Sequence, residues 1–301
     1  MVNRSDLRRQ LQEGLNAVFG MEYRRHPEEW RDCFDVSKSE KAYEEDVKMV
    51  GTGAAATKAE GGAVQYDDLA ESYVARYQHE TIAIAVAITE EAIEDNLYGE
   101  LGSKASMSMA RSLQYTKEVK GANIFNFGFD SNFPGGDDVP LFSTAHPLYG
   151  GGTLSNTLGT PADLAESSLE ELINIIGDWT DDRGIPVKAQ ITRLIIPVEL
   201  QFVAARLLMT PYQPDTSDNN INAIFKLGSI RDGFSVNHHL SDPDAWFLKT
   251  DMPDGLKHFA RRAVKKGLEG DFETGNLRYK ASERYSFGWS DWRGAAGSAG
   301  S

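Results

Sequence analysis

The stretch Thr89–Phe127 constrains this chain more than any other, because it reads as one helix of unusual length. Ile93, Leu97, Leu101, Met109 and Leu113 recur at four-residue steps, with Ala105 in the gap, so they share one helix face. Thr89 fits as the N-cap, and Glu90 and Glu91 place negative charge where the helix dipole favours it. At ~1.5 Å per residue the rod would span on the order of 55 Å, more than the width of a small domain. Gly99, Gly102 and Gly121 each weaken it by up to ~1 kcal/mol relative to Ala, which makes them candidate bending points. A rod of this length is scaffolding more readily than it is an active site.

The flanking segments give the rod its context. Ser5–Phe19 reads as a short amphipathic helix on Leu7, Leu11, Leu15 and Val18, ended by Gly20. Tyr23–Phe34 surrounds Trp30 with charge and shows no core pattern, so it is expected to be an extended arm. Val47–Val50 is a candidate strand. Gly51–Gly62 is made of small residues with four glycines, the composition of a loose loop. In Ile82–Ile88 bulky residues alternate with alanines, which predicts a strand with one large and one small face. Residues 40–88 therefore read as a long hairpin with a loose tip ahead of the rod.

Beyond Phe127 the chain turns irregular, with a loop over Asn132–Asp138. Ser167 with Glu170 forms a capping-box pattern opening a helix on Leu169, Leu172, Ile173, Ile176 and Trp179. Ile191–Ile196 is a buried-type strand, and Leu200, Val203, Ala204, Leu207 and Leu208 fit a following helix. Further strands are expected at Ser235–Leu240 and Ala245–Lys249, around a polar loop Tyr212–Asn222. Together these predict a compact α/β unit from about residue 160 to 250. Alternation at Leu277–Ala281 and Tyr285–Trp289 adds strands, and Gly294–Ser301 reads as a small-residue tail.

Chemistry is sparse. The 301 residues carry a net charge of −14, which argues against a dedicated nucleic-acid binder, since such affinity needs basic surface. Neither a bilayer-spanning apolar run nor a signal peptide is present, so synthesis in the cytoplasm is expected. Cys33 stands alone and can form neither an internal disulfide nor a thiolate cluster. Gly51 and Gly53 lack the spacing of a dinucleotide or phosphate loop. His238 and His239 are adjacent, and on a strand they would point to opposite faces. His146 has no nucleophile-elbow motif beside it. The expectation is no catalytic residue, no cofactor and no metal; a hydrolase using His146 or His238 is the alternative from a different class.

The order of parts, and the phrases Leu141–Leu148, Asp182–Pro186, Ile195–Leu200, Asp244–Asp251, Thr274–Lys280 and Glu283–Trp289, resemble the major capsid proteins of tailed bacteriophages. Within that group the chain resembles the Mu-like major head subunits. The resemblance implies the α+β Hong Kong 97-type fold. It assigns 1–39 to an N-terminal arm, 40–88 to an extended loop, 89–159 with 252–292 to a peripheral domain built on the rod as spine helix, 160–251 to an axial domain, and 293–301 to a tail. It implies a non-enzymatic shell of pentamers and hexamers around double-stranded DNA, assembled in the host cytoplasm and residing in the virion. A portal and separate scaffolding or decoration proteins would be partners. An encapsulin-like compartment shell is the alternative within the same fold.

The same resemblance implies contact residues between subunits: Gly51, Lys58 and Gly62 in the loop, Arg24, Arg25 and Trp30 in the arm, and Tyr212, Asp215 and Asn219 in the loop expected at the symmetry axis. Some members crosslink Lys to Asn through the extended loop. Lys58 lies in that loop; such a bond also needs an acidic partner and a buried pocket, which the sequence does not place. Members with an N-terminal scaffolding domain differ from this chain, whose arm begins near Met1. Scaffolding is therefore expected from a separate protein or from a removed precursor segment.

Overall fold

The computed structural model describes the backbone of residues 4–89, 98–212, 220–270 and 276–301, with side chains described from 12 onward and, in the long helix, from 102. The spine helix (Tyr98–Asn126) is continuous over 29 residues, about 43 Å at ~1.5 Å per residue. The expected N-cap at Thr89 abuts residues 90–97, which include Ile93 and Leu97 of the expected face and lie outside the described residues.

Two four-stranded sheets organise the subunit. The first has the order β1 (Asp35–Lys38), β10 (Leu256–Gly270), β11 (Leu277–Trp289), β4 (Glu80–Ile88). Only the β1–β10 pair is parallel. The Ile/Ala alternation of β4 does what its period of two requires: Ile82, Ile84 and Val86 turn inward and the alanines outward. They close a core with Met109 and Leu113 of the spine, Tyr279 and Ala281 of β11, and Leu15 and Phe19 of the N-terminal helix (Arg4–Tyr23).

The second sheet has the order β12 (Ala295–Ser298), β9 (Trp246–Thr250), β7 (Ile191–Ile196), β8 (Phe234–Val236). Helices Glu166–Gly177, Gln201–Met209 and Ala223–Leu227 accompany it, and Leu169, Leu172, Ile176, Trp179, Trp246 and Trp292 fill its core. The first of these helices starts ahead of the expected Ser167: Ala165 is the N-cap, and its N–H donates to Ser168 Oγ at 3.0 Å. A third cluster joins the two sheets, bringing Trp30, Phe34 and Phe125 against Ile195, Ala245 and Phe247. The remaining strands form two ribbons, β2 (Tyr43–Val50) with β3 (Ala70–Gln78) and β5 (His146–Pro147) with β6 (Thr153–Leu154).

Three expectations are corrected. The segment around Trp30 is not an extended arm reaching another subunit: Trp30, Cys33 and Phe34 are buried in this subunit's own core, and β1 then joins the edge of the first sheet. The C-terminal tail is a strand: Ala295, Ala296 and Ser298 are fully buried, paired antiparallel with β9. Its residues are small because there is no room for larger ones; a Cβ on Gly297 would lie 2.6 Å from the Phe247 ring.

The spine glycines are the third. Tyr98–Asn126 runs through Gly99, Gly102 and Gly121 without a break. Gly102 and Gly121 are buried contact points, not joints. A Cβ on Gly121 would meet Trp30 Cβ at 3.1 Å and the Phe287 ring at 3.5 Å, whereas one on Gly102 would meet only the tips of Leu15 and Ile88, at 3.3 and 3.6 Å. Gly121→Ala is therefore expected to destabilise the subunit by about 1–3 kcal/mol through overpacking. Gly102→Ala should fall within ~1 kcal/mol of neutral, as helix propensity offsets mild crowding. Urea denaturation of the two variants checks the difference, and equal midpoints would contradict it.

Candidate assembly surfaces

The hairpin β2–β3 is anchored at its base and bare at its tip. Tyr73 and Tyr77 reach across to the end of β11, where Tyr73 Oη donates to Ser290 O at 3.1 Å and Tyr77 Oη pairs with Ser290 Oγ. Gly288 and Gly136 leave space for these rings, since a Cβ on either would sit 2.7 Å from a tyrosine carbon. Ser290 Oγ also donates to Asp46 Oδ2 at 2.6 Å, and Lys48 pairs with the buried Asp291.

Arg183 then holds the neck of the loop. Its guanidinium donates to Gly51 O at 3.3 Å and to Asp68 O at 3.0 Å, one carbonyl on each side. Asp67 accepts the N–H of Gly53 at 2.7 Å; the Gly53 and Asp68 amides, then Arg183, hold its carboxyl below the usual carboxylate range. Within and just past this clamp the chain is exposed from Ala54 through Leu69. Lys58 and Gly62 stand in solvent, and Tyr66 is 93% exposed with Val64 and Leu69 beside it.

A second surface lies on the helix pair Gln201–Met209 and Ala223–Leu227, with Tyr212 and Ile221 between them. Phe202, Met209, Tyr212, Ile221 and Leu227 are each more than half exposed, Leu227 reaching 79%. A single folded chain rarely leaves so many large apolar side chains on one short stretch, and such concentrations mark contact surfaces. Tyr212, named from the sequence, belongs to this set; Asp215 and Asn219 lie outside the described residues. Sequence reading missed Phe202, Met209 and Leu227. The signal available was Phe202 and Met209, seven residues apart and so on one face, opposite the buried Ala204 and Leu207.

The remaining residues named from the sequence divide. Arg24 and Arg25 are exposed beyond the N-terminal helix, Arg24 Nε donating to Gly20 O at 3.1 Å and Arg25 pairing with Glu22 at 3.5 Å. Trp30 is 1% exposed and offers nothing to a neighbour.

His146 is wholly buried. Its ring stacks on Trp292, with centroids 4.4 Å apart, while Nδ1 meets Asp137 at 2.7 Å and Nε2 meets Asn156 Oδ1 at 3.2 Å. Asn156 in turn donates to the carbonyls of Leu141, Trp292 and Ala295. This is a structural knot closed to substrate. His238 and His239 sit in a turn after β8 rather than on a strand, and both approach Glu29. No described helix is long and apolar enough to cross a membrane.

Two sheets backed by one long helix, with an anchored hairpin reaching outward, are the architecture of shell-forming subunits of the Hong Kong 97 type. The chain matches a Microbacterium phage Oxtober96 structure at 15% identity over 90% of both chains, with a TM-score of 0.51. It matches the procapsid of bacteriophage JBD30 at 15% identity over 97% of this chain and 74% of that one, with a TM-score of 0.54. A virus-like particle from Pyrococcus furiosus gives 11% identity over 95% and 98%, with a TM-score of 0.51. At these identities the likeness fixes the fold alone. Comparison with curated proteins finds no match. The chain belongs to the phage capsid protein family, whose model matches residues 72–298, and that family is structural rather than enzymatic.

Proposed function

We propose that this chain is the major head subunit of a tailed phage, assembling through pentamers and hexamers into an icosahedral shell around double-stranded DNA. The family membership carries the reading. The exposed loop tip and the apolar helix pair supply what a shell needs, two surfaces whose partners lie on other copies. The shell meets DNA without reading its sequence, consistent with a net charge of −14. A portal, and separate scaffolding or decoration proteins, complete the particle in the host cytoplasm. The loop tip, with Gly51, Lys58 and Gly62, lies over a neighbouring subunit, and the segment around Tyr212, Asp215 and Asn219 faces a symmetry axis. An encapsulin-like compartment shares the fold, and the family match favours the phage head.

The helix pair offers the test. Burying Phe202 and Leu227 against a neighbour contributes about 1.5–3 kcal/mol each at every copy of the contact. The double variant Phe202→Asp, Leu227→Asp is expected to keep the subunit's unfolding midpoint, since both residues are exposed, yet to yield free subunits in sedimentation. Wild-type yields of capsomers and shells from it would remove this surface from the interface.

A further inference from the structure

At the seam between the two sheets, side chains from three separate elements converge. Glu29 precedes the short helix Trp30–Cys33, Glu118 lies in the middle of the spine helix, and His239 sits in the turn after β8. One carboxylate oxygen from each glutamate and one ring nitrogen of His239 all lie within 4.8 Å of one another. We propose that these three residues bind one divalent transition-metal cation, of the zinc or manganese class, which ties the N-terminal segment, the spine and the second sheet together.

The surroundings of Glu118 point to a cation. Glu118 is 4% exposed, and among the described residues no Lys, Arg or His lies within ion-pair distance of its carboxylate. Its charged neighbours, Glu29 and Glu28, have the same sign. A buried carboxylate left in this condition is costly unless it is neutralised or coordinates a metal. The two hydrogen bonds it accepts, from the N–H groups of Glu29 at 3.0 Å and Trp30 at 2.9 Å, use one lone pair on each oxygen and leave the others available.

The other two ligands are already oriented. His238 donates its N–H to Glu29 Oε2 at 2.9 Å, and its Nδ1 lies 2.6 Å from Glu29 Oε1. The backbone of His239 is fixed on both sides: its N–H donates to Asn237 Oδ1 at 2.8 Å, and its carbonyl accepts from Asn126 Nδ2 at 3.2 Å. The ring packs edge-on against Tyr115, with centroids 5.5 Å apart. Neither ring nitrogen has a hydrogen bond among the described residues, which leaves both free to ligate. Such supporting contacts orient metal ligands and tune their affinity. Small side-chain movements bring the three atoms to the bond lengths of about 2.0–2.2 Å that a first-row cation requires. The imidazole selects against magnesium and calcium, which take oxygen ligands. Water completes the coordination on the exposed side.

The site belongs to the subunit and does not depend on assembly. The test titrates chelator-treated full-length chain with zinc chloride by calorimetry, with magnesium chloride in parallel, and follows thermal unfolding in each. One zinc ion per chain is expected, with a rise in unfolding temperature that magnesium does not reproduce. His239→Ala and Glu29→Gln should each weaken zinc binding at least about tenfold, while Glu60→Gln, in the exposed loop tip, leaves it unchanged. Circular dichroism establishes that each variant is folded. Absence of saturable one-to-one binding by the wild-type chain, or wild-type affinity in both folded variants, overturns the proposal.

Discussion

A chain ending at Gly294 is expected not to fold. Deleting residues 295–301 removes β12, whose four residues pair with Trp246–Lys249 of β9. It strips the cover from Phe247 and removes the Ser298 hydroxyl, which accepts from Ala162 N–H at 3.0 Å and donates to Ala162 O at 2.8 Å. It also takes away the Ala295 carbonyl that Asn156 holds. Each lost hydrogen bond contributes about 0.5–1.5 kcal/mol, and each buried group left without a partner costs about 1–3 kcal/mol. The total is on the order of 5 kcal/mol or more, comparable with the whole stability of an ordinary domain. Insoluble expression, or loss of the cooperative urea transition, is the expected outcome. Deleting only Gly300 and Ser301 should cost far less, because Ser301 is exposed and held mainly by Asp163. A chain ending at Gly294 that unfolds at the wild-type urea midpoint would contradict the burial of β12.

Deleting Gly53–Gly61 should have the opposite profile, sparing the subunit and abolishing the shell. Apart from Gly53 every residue in that segment is exposed, and Arg183 clamps the loop at Gly51 and Asp68, outside the deletion. The remaining tip still closes β2 onto β3, and shortening a flexible loop changes closure entropy only slightly. The unfolding midpoint is expected to stay within about 1 kcal/mol of wild type. Assembly should fail because the contact is repeated by every copy in the shell. Electron microscopy of the variant checks this, and normal particles would remove the loop from any interlocking role.

These two segments also show where sequence reading succeeds and where it stops. The loose tip was legible because glycines and small residues declare a loop, and the Ile/Ala alternation declares β4. The expected hairpin over 40–88 had the wrong second strand: β2 pairs with β3, whose mixed polar and aromatic residues carry no clean alternation, while β4 joins β11 in the first sheet. The spine helix was legible through its four-residue spacing. The C-terminal strand was hidden: Ala-Ala-Gly-Ser has the composition of a tail, and only the aromatic rings of β9 explain why those residues must be small. The spine glycines were misread for the same reason, since close approach by Trp30 and Phe287 is a tertiary fact that local propensity does not contain. Trp30 looked like an arm residue because its neighbours are charged, yet its ring lies among His258, Phe287 and Lys117. The helix Gln201–Met209 was found from its buried stripe, while its exposed Phe202 became informative only once burial was known. The convergence of Glu29, Glu118 and His239 joins residues far apart in sequence, and it depends on a turn where a strand was expected.

The most direct test is electron microscopy of the purified full-length chain, alone and with a candidate scaffolding protein. The account predicts closed shells, with pentameric and hexameric capsomers of a two-sheet subunit visible in averaged images. Monomers alone under every condition, with neither capsomers nor particles, would contradict it.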